Sequence, residues 1–269
     1  MQKTAVITGG TSGIGLELAK RYLYDGYRVH LISKSYISKS KLYSNFSSDI
    51  DTKFIHFHRC DIGNTDEIKK TRDEIATIST TIDVLINNAG FATYRLFSEL
   101  SLEEGVELAN VNFVGHVTVT LAFREILLLS KAPQIVLMCS IAAALPITPN
   151  SVYAGAKSGM KMLGETLRME LAHLGVNVCC VYPGRLKTPF FDHPTFKNRD
   201  VGPEMNLDTD FIKACSKIYR AIQSRRNEVY YPFHWRLFAY LYHTEPLVIG
   251  RIHRAIIASR IQRLLRRKN

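Results

Sequence analysis

Six short apolar runs alternate with longer segments of helical period over the first 185 or so residues, and this alternation restricts the fold more than any other feature. The runs are TAVIT (4–8), RVHLIS (28–33), KFIHFHRC (53–60), IDVLINN (82–88), QIVLMCS (134–140) and NVCCVYP (177–183). They are almost continuously apolar, which suits strands covered on both faces rather than strands with one wet face. Between them, apolar residues recur at helical spacing over 14–25, 65–79, 101–130 and 151–174. Strands alternating with helices predict an α/β architecture, a parallel sheet with helices on both faces. A seventh strand is expected at EVYYPF (228–233). The Ser-rich stretch 35–52 reads as a loop with a short helix, and 189–212 as a polar loop carrying Phe190, Phe191 and Phe196.

A chain of 269 residues with 46% hydrophobic content can bury one large core. We therefore expect a single Rossmann-type, doubly wound domain of about seven strands over 1–246, with 189–212 as its substrate loop and 247–269 as a basic helical extension. Cys60, Cys139, Cys179, Cys180 and Cys215 are odd in number, lack metal-ligand spacing and fall mostly in strand-like runs. They read as reduced core residues of a cytoplasmic protein, with no metal site. The chain passes from Lys3 directly into the first apolar run, so no secretion leader is expected. No run is expected to reach the roughly 18 apolar residues of a spanning helix.

Charge is concentrated at one end. From Lys213 onward there are 13 Lys and Arg against two acids, Glu228 and Glu245, leaving 22 of the 35 basic and 22 of the 24 acidic residues for the rest. With a neutral body and a basic tail, the overall charge is no argument that the whole surface binds nucleic acid, and no nucleic-acid partner is expected. Residues 247–269 interleave Arg251, Arg254, Arg260, Arg263, Arg266, Arg267 and Lys268 with Ile249, Ile252, Ile256, Ile257, Ile261, Leu264 and Leu265. This pattern predicts a basic helix capable of a weak, peripheral, salt-sensitive membrane contact. Its apolar stripe does not run the length of the tail: Arg260, Arg263 and Arg267 take over the face used before residue 257. The alternative packs its first half on the core and leaves the Arg-rich end in solvent.

Two motifs carry chemistry. TGGTSGIG (Thr8–Gly15) joins the first strand to the first helix, and Gly9, Gly13 and Gly15 there suit a tight turn that brings a pyrophosphate to a helix N-terminus. YAGAK places Tyr153 and Lys157 four residues apart, side by side on one helix face. With NNAG at 87–90, Asn112 in VNFVG, Ser140 at a strand end and the Pro183–Gly184 pair, these motifs resemble the short-chain dehydrogenase/reductase superfamily over about residues 3–190.

The resemblance implies an oxidoreductase that interconverts a carbonyl and an alcohol by hydride transfer. It implies catalytic roles for Asn112, Ser140, Tyr153 and Lys157: Tyr153 as proton donor and acceptor, Ser140 on the substrate oxygen, Asn112 holding a water that links Lys157 to solvent. Around the cofactor it implies Thr8, Gly9, Gly13, Ile14 and Gly15, then Asn88, Ala89 and Gly90, and Pro183, Gly184 and Thr188 beside the nicotinamide, with Tyr153 and Lys157 also in contact. Asp61 resembles the residue that meets the adenine amino group, although it also stands where it could cap the next helix. A homodimer or homotetramer pairing through 101–130 and 151–174 is implied too.

An ammonium about 4 Å from the phenol would contribute roughly 4 kcal/mol at an effective dielectric near 20, enough to bring Tyr153 towards neutral pH. At the end of the second strand, Ser33 stands where NAD-preferring members of the family place an acid, and Lys34 follows. NADP(H) is expected in preference to NAD(H). The aromatics after residue 232 could wall an apolar substrate site, but packing on the core is expected for most of them. Two other classes remain beside a reductase: a nucleotide-binding protein without turnover, and a membrane-surface or nucleic-acid partner using the basic tail.

Overall fold

The computed structural model describes residues 2–46, 50–196, 210–245 and 247–266. Seven strands, β1 (Thr4–Thr8), β2 (Arg28–Ser33), β3 (Ile55–Arg59), β4 (Val84–Asn87), β5 (Gln134–Met138), β6 (Asn177–Pro183) and β7 (Glu228–Tyr231), form one sheet in the order 3-2-1-4-5-6-7. Every pairing is parallel. The helices are α1 (Gly13–Tyr24), α2 (Lys39–Tyr43), α3 (Thr65–Ile78), α4 (Leu102–Ala109), α5 (Gly115–Leu128), α6 (Ser151–Glu170), α7 (Phe211–Gln223), α8 (His234–Thr244) and α9 (Ile249–Arg266).

Strand alternation divides the core in two. Ala5, Ile7, Val136, Met138, Cys179 and Val181 face one layer with Leu18, Tyr22, Ile218 and Ile222 of α1 and α7. Val6, Ile135, Leu137, Val178, Cys180 and Tyr182 face the other, with Ile68, Ile75, Val119, Phe123 and Met160 of α3, α5 and α6. Each Val, Leu, Ile, Phe or Met taken from water contributes about 1.5–3 kcal/mol, and because successive residues serve opposite layers the strands are apolar at most positions. All five cysteines are buried and free, four of them within these layers.

The expected helix over 101–130 is interrupted. Ser101 and Glu104 form a capping box that starts α4, but Asn110–Val114 is a turn of π-helix before α5 resumes. The whole run Leu102–Leu128 is long and apolar enough to cross a membrane by length and composition, so the expectation that no segment reaches that length is corrected. Its inner side, with Asn112, His116, Val119 and Phe123 buried, packs on β4 and α3 as a sheet-covering helix. Of the polar loop 189–212, two short 3-10 turns (Pro189–Phe191 and Pro194–Phe196) and the cap Asp210 of α7 are seen; residues 197–209 lie outside the described residues.

Candidate active site

The order of the sheet reverses between β1 and β4, and the turns after these two strands are fastened to each other. Thr8 Oγ1 accepts from the backbone N–H groups of Asn88 (2.9 Å) and Ala89 (3.0 Å) and donates to Ile86 O (3.3 Å). Asn88 Nδ2 donates to Thr8 O and Gly9 O. Gly9, at φ 64°, gives its N–H to Ile32 O at 2.7 Å. A Cβ on Gly15 would lie against Gly9 O and 2.5 Å from Asn88 Nδ2, so α1 approaches the turn closely only because residue 15 has no side chain. Ser12, the N-cap of α1, makes no side-chain cap bond, and Ser12, Gly13 and Ile14 line the adjoining crevice. Free first-turn amides on a glycine-floored crevice fit a pyrophosphate. Thr188 packs over Gly13, and Gly184 N–H donates to Tyr231 O (2.7 Å).

Ser140, Tyr153 and Lys157 come together on the same crevice. Ser140 follows β5, its hydroxyl accepting from Ala142 N–H (3.2 Å) and close enough to the Tyr153 phenol to lower its pKa. Burial pushes Tyr153 up to about 12, partly offset by the Ser140 hydroxyl and reinforced by the Cys139 thiol. Lys157, fully enclosed, is pulled down to about 8 by burial. Its ammonium donates to Met138 O (3.0 Å) and lies over the Tyr153 ring, 5.8 Å from the centroid. The expectation that Lys157 brings the phenol towards neutral pH is therefore corrected: the cation is placed over the ring and held by a carbonyl, and burial of the phenol outweighs it.

The π turn places Asn112. Its Nδ2 donates to Phe91 O (2.8 Å) and Leu108 O (2.9 Å), while its Oδ1 is buried with no partner among the described residues. A Cβ on Gly90 would sit 2.5 Å from that oxygen and 3.6 Å from Lys157 Nζ, so Asn112 and Lys157 converge on the space above Gly90. His116, one turn further on, was not among the residues singled out from sequence. Its Nε2–H donates to Ala89 O (2.7 Å), supporting the turn from below, and burial together with the Lys157 charge pulls it down to about 3.

Ser33, Lys34 and Asp61 lie apart from this group, at the ends of β2 and β3. Ser33 Oγ accepts from Thr11 Oγ1 (3.1 Å). Lys34 pairs with Asp61 (2.9 Å) and Glu107 (3.5 Å). Asp61 does not cap α3; Asn64 does, accepting from the N–H groups of Asp66 and Glu67. Asp61 instead accepts from Gly63 N–H (2.9 Å), and although burial raises its pKa, the bonds from Lys34 and Gly63 keep it below the usual range.

The crevice deepens into a cavity of about 930 Å³. Ile141, Leu145 and Phe190, Trp235, Phe238 and Leu241 of α8, and His253, Ile256 and Ile257 of α9 line it, with Trp235 and Phe238 packed against Ile141 and Leu145. Trp235 also reaches Gly184, where a Cβ would lie 3.1 Å from its Nε1. As expected, most of these aromatics pack on the core, Trp235, Phe238 and Tyr242 lying against Ile141, Ala144, Leu145 and Ala239, and Trp235 and Phe238 wall the cavity as well. Their apolar pattern marks a buried helix face, and only the return of α8 across the end of β6 and β7 decides what that face covers.

The family model described as short chain dehydrogenase matches residues 3–198. An uncharacterized oxidoreductase of Saccharomyces cerevisiae, YDL114W, is 28% identical over 71% of this chain, which spans 63% of that protein's length. The uncharacterized oxidoreductase YbbO of Escherichia coli K12 is 26% identical over 86% of each chain. A short-chain dehydrogenase from Sphingobium yanoikuyae, solved in complex with NADPH, superposes with a TM-score of 0.76 at 21% identity, covering 86% of this chain and 88% of its own. With the Gly-rich turn, the seven-stranded parallel sheet and the family match in agreement, the chain belongs to the short chain dehydrogenase family.

Proposed function

We propose that this protein reduces an apolar ketone or aldehyde to the alcohol with NADPH. The observation that carries this reading is the Ser140–Tyr153 hydroxyl pair facing a predominantly apolar cavity beside a pyrophosphate-sized crevice. When bound, a nicotinamide cofactor supplies the hydride to the carbonyl carbon. Gly9, Gly13, Ile14 and the α1 amides would hold its pyrophosphate, Ala89 and Gly90 would border its ribose, and Pro183, Gly184 and Thr188 would flank its nicotinamide end.

The remaining chemistry is a proton transfer. Tyr153, with its pKa near 12, is protonated at neutral pH and gives its proton to the substrate oxygen, while Ser140 holds that oxygen through its hydroxyl. Lys157 is predominantly cationic at neutral pH and stabilises the phenolate left behind. Asn112 turns an otherwise unmatched amide oxygen towards the space Lys157 reaches, where a bridging water can return a proton from solvent to the tyrosine side.

A second reading, an NAD-dependent alcohol dehydrogenase, is favoured by one observation: Lys34 already pairs with two carboxylates, which compete with a 2′-phosphate for it. Support for NADPH comes from the missing acid at Ser33 and from the NADPH bound by the Sphingobium relative. A homodimer or homotetramer formed through α5 and α6, which expose Leu121, Met162 and Met169, is part of the same proposal. Oxidation of NADPH and of NADH in the presence of a panel of ketones and aldehydes of increasing chain length tests the reading. No turnover with any of them would overturn it.

A further inference from the structure

Two exposed apolar stripes border the mouth of the cavity. On α8 and the residue before it, Phe233, Leu237 and Tyr240 are 69%, 59% and 64% exposed; on α9 and its approach, Val248, Ile252 and Ile256 are 58%, 55% and 43% exposed. Leu237 and Ile256 belong to two surfaces at once, since they also line the cavity. Each stripe therefore runs alongside a cavity-facing stripe of the same helix, Phe238 and Leu241 on α8, His253 and Ile257 on α9. Large apolar side chains concentrated at a pocket mouth, rather than scattered singly, mark a surface that is covered in use.

The charge around these stripes identifies the cover. Arg236, Arg251 and Arg254 are exposed beside them, and residues 247–269 contain seven Lys and Arg and no acid. A second copy docking on the same face would bring these cations against themselves. An anionic bilayer accepts them: the arginines reach the headgroups while the apolar residues enter the acyl boundary, and each near-surface cation strengthens the contact about fivefold. We infer that α8 and α9 seat on an anionic membrane surface with the cavity mouth opening into the lipid, so that the substrate is a lipid-dissolved carbonyl compound that enters without crossing water. The identity of the substrate rests on the reductase reading above; the docking does not.

Flotation of the full chain with vesicles of phosphatidylcholine containing about one third phosphatidylserine, at about 50 mM salt, tests the docking. The wild-type protein is expected to float. Val248→Asp with Ile252→Asp, at positions outside the cavity lining, is expected to weaken vesicle binding at least about tenfold. The same pair should leave turnover of a soluble short-chain ketone unchanged while turnover of a vesicle-dissolved long-chain ketone falls severalfold. Arg251→Glu with Arg254→Glu should lose binding in the same way. Wild-type protein that stays with the pellet fraction, or apolar-stripe variants that float as the wild type does, overturns the inference. Concentration-dependent self-association abolished by the same variants, without flotation, would assign the face to a second copy and also overturn it. Flotation needs no turnover, so failure of the reductase reading leaves its result standing.

Discussion

Lys157 holds the carbonyl of Met138 at 3.0 Å and stands over the Tyr153 ring, 5.8 Å from its centroid, so the charge nearest the phenol is anchored to the backbone at the end of β5. Burial drives the two groups in opposite directions, the phenol up to about 12 and the ammonium down to about 8. Carbonyl reduction should therefore be fast while Lys157 is charged and decline as pH rises through about 8. Tyr153→Phe, which removes one hydroxyl, should retain NADPH binding by fluorescence titration and lose at least about a hundredfold in kcat. Lys157→Met should lose cofactor affinity as well and flatten the alkaline decline. A Tyr153→Phe enzyme with more than a few per cent of wild-type kcat would remove Tyr153 from the mechanism.

Cofactor choice turns on a competition for Lys34. The Asp61 hydrogen bond, ahead of burial in the opposite sense, raises the Lys34 pKa, and Glu107 adds to it, so the ammonium is charged but engaged. Glu107→Gln should release part of that hold and tighten NADPH binding about two- to threefold, a small effect because the pair is exposed. Ser33→Asp should shift the ratio of dissociation constants towards NAD by at least about tenfold, because a carboxylate there repels a 2′-phosphate and can accept from the ribose hydroxyls. Equal wild-type affinity for the two cofactors would contradict the premise.

A second titratable group has no part in the reaction. His30 is buried in β2, with Nδ1 3.0 Å from His58 Nε2 and Nε2 2.9 Å from Ser79 Oγ; His58 continues to Glu74 at 3.3 Å, and His56 stacks on His30. Burial, then the neighbouring His58, His56 and Arg28, pull His30 down to about 2. Its folded pKa lies below the unfolded value of about 6.5, so the unfolded chain takes up the proton first. Its contribution to stability is complete above about pH 6.5 and falls as the pH drops, by roughly 2 kcal/mol at pH 5. Thermal unfolding should show a lower Tm at pH 5 than at pH 7.5. His30→Gln should reduce that slope; an unchanged slope would place the acid sensitivity elsewhere.

Parts of this molecule were legible in sequence for physical reasons. β1, β2 and β6 coincide with their apolar runs because strands buried on both faces are apolar at most positions, with the buried polar members such as His30 and Thr8 hydrogen-bonded. The Gly-rich turn was legible because close packing of Gly9, Gly15 and Asn88 excludes a Cβ. The π turn that aims Asn112 was not, since one extra residue within Asn110–Val114 leaves no mark in a long apolar helix. His116 reads in sequence as an ordinary buried histidine, and its bond to Ala89 O depends on contact between distant segments. α7 escaped the strand–helix alternation because it follows the polar stretch 197–209, and its place is fixed by α1, where Tyr219 donates to Asp25 at 2.6 Å.

Substrate size should be governed by the C-terminal helices, and two truncations separate their parts. Removing 259–269 takes away the Arg-rich end but leaves His253, Ile256 and Ile257 on the cavity wall. Turnover of a soluble short-chain ketone should then match the full chain, with vesicle binding reduced. Removing 247–269 also takes away the three wall residues, and the cavity opens on that side. Burial of a substrate methylene against the wall is worth about 0.8 kcal/mol, close to fourfold in affinity, so a ketone long enough to touch α9 should show KM raised tenfold or more. A short ketone held near Ser140 and Tyr153 should change little. The dissociation constant for NADPH should be unaffected in both truncations, because the Gly-rich turn lies across the crevice from α9. If KM rises equally for short and long ketones, α9 supports the fold around the catalytic pair rather than a distal part of the substrate site, and a Tm measurement on the 1–246 protein would show the corresponding loss.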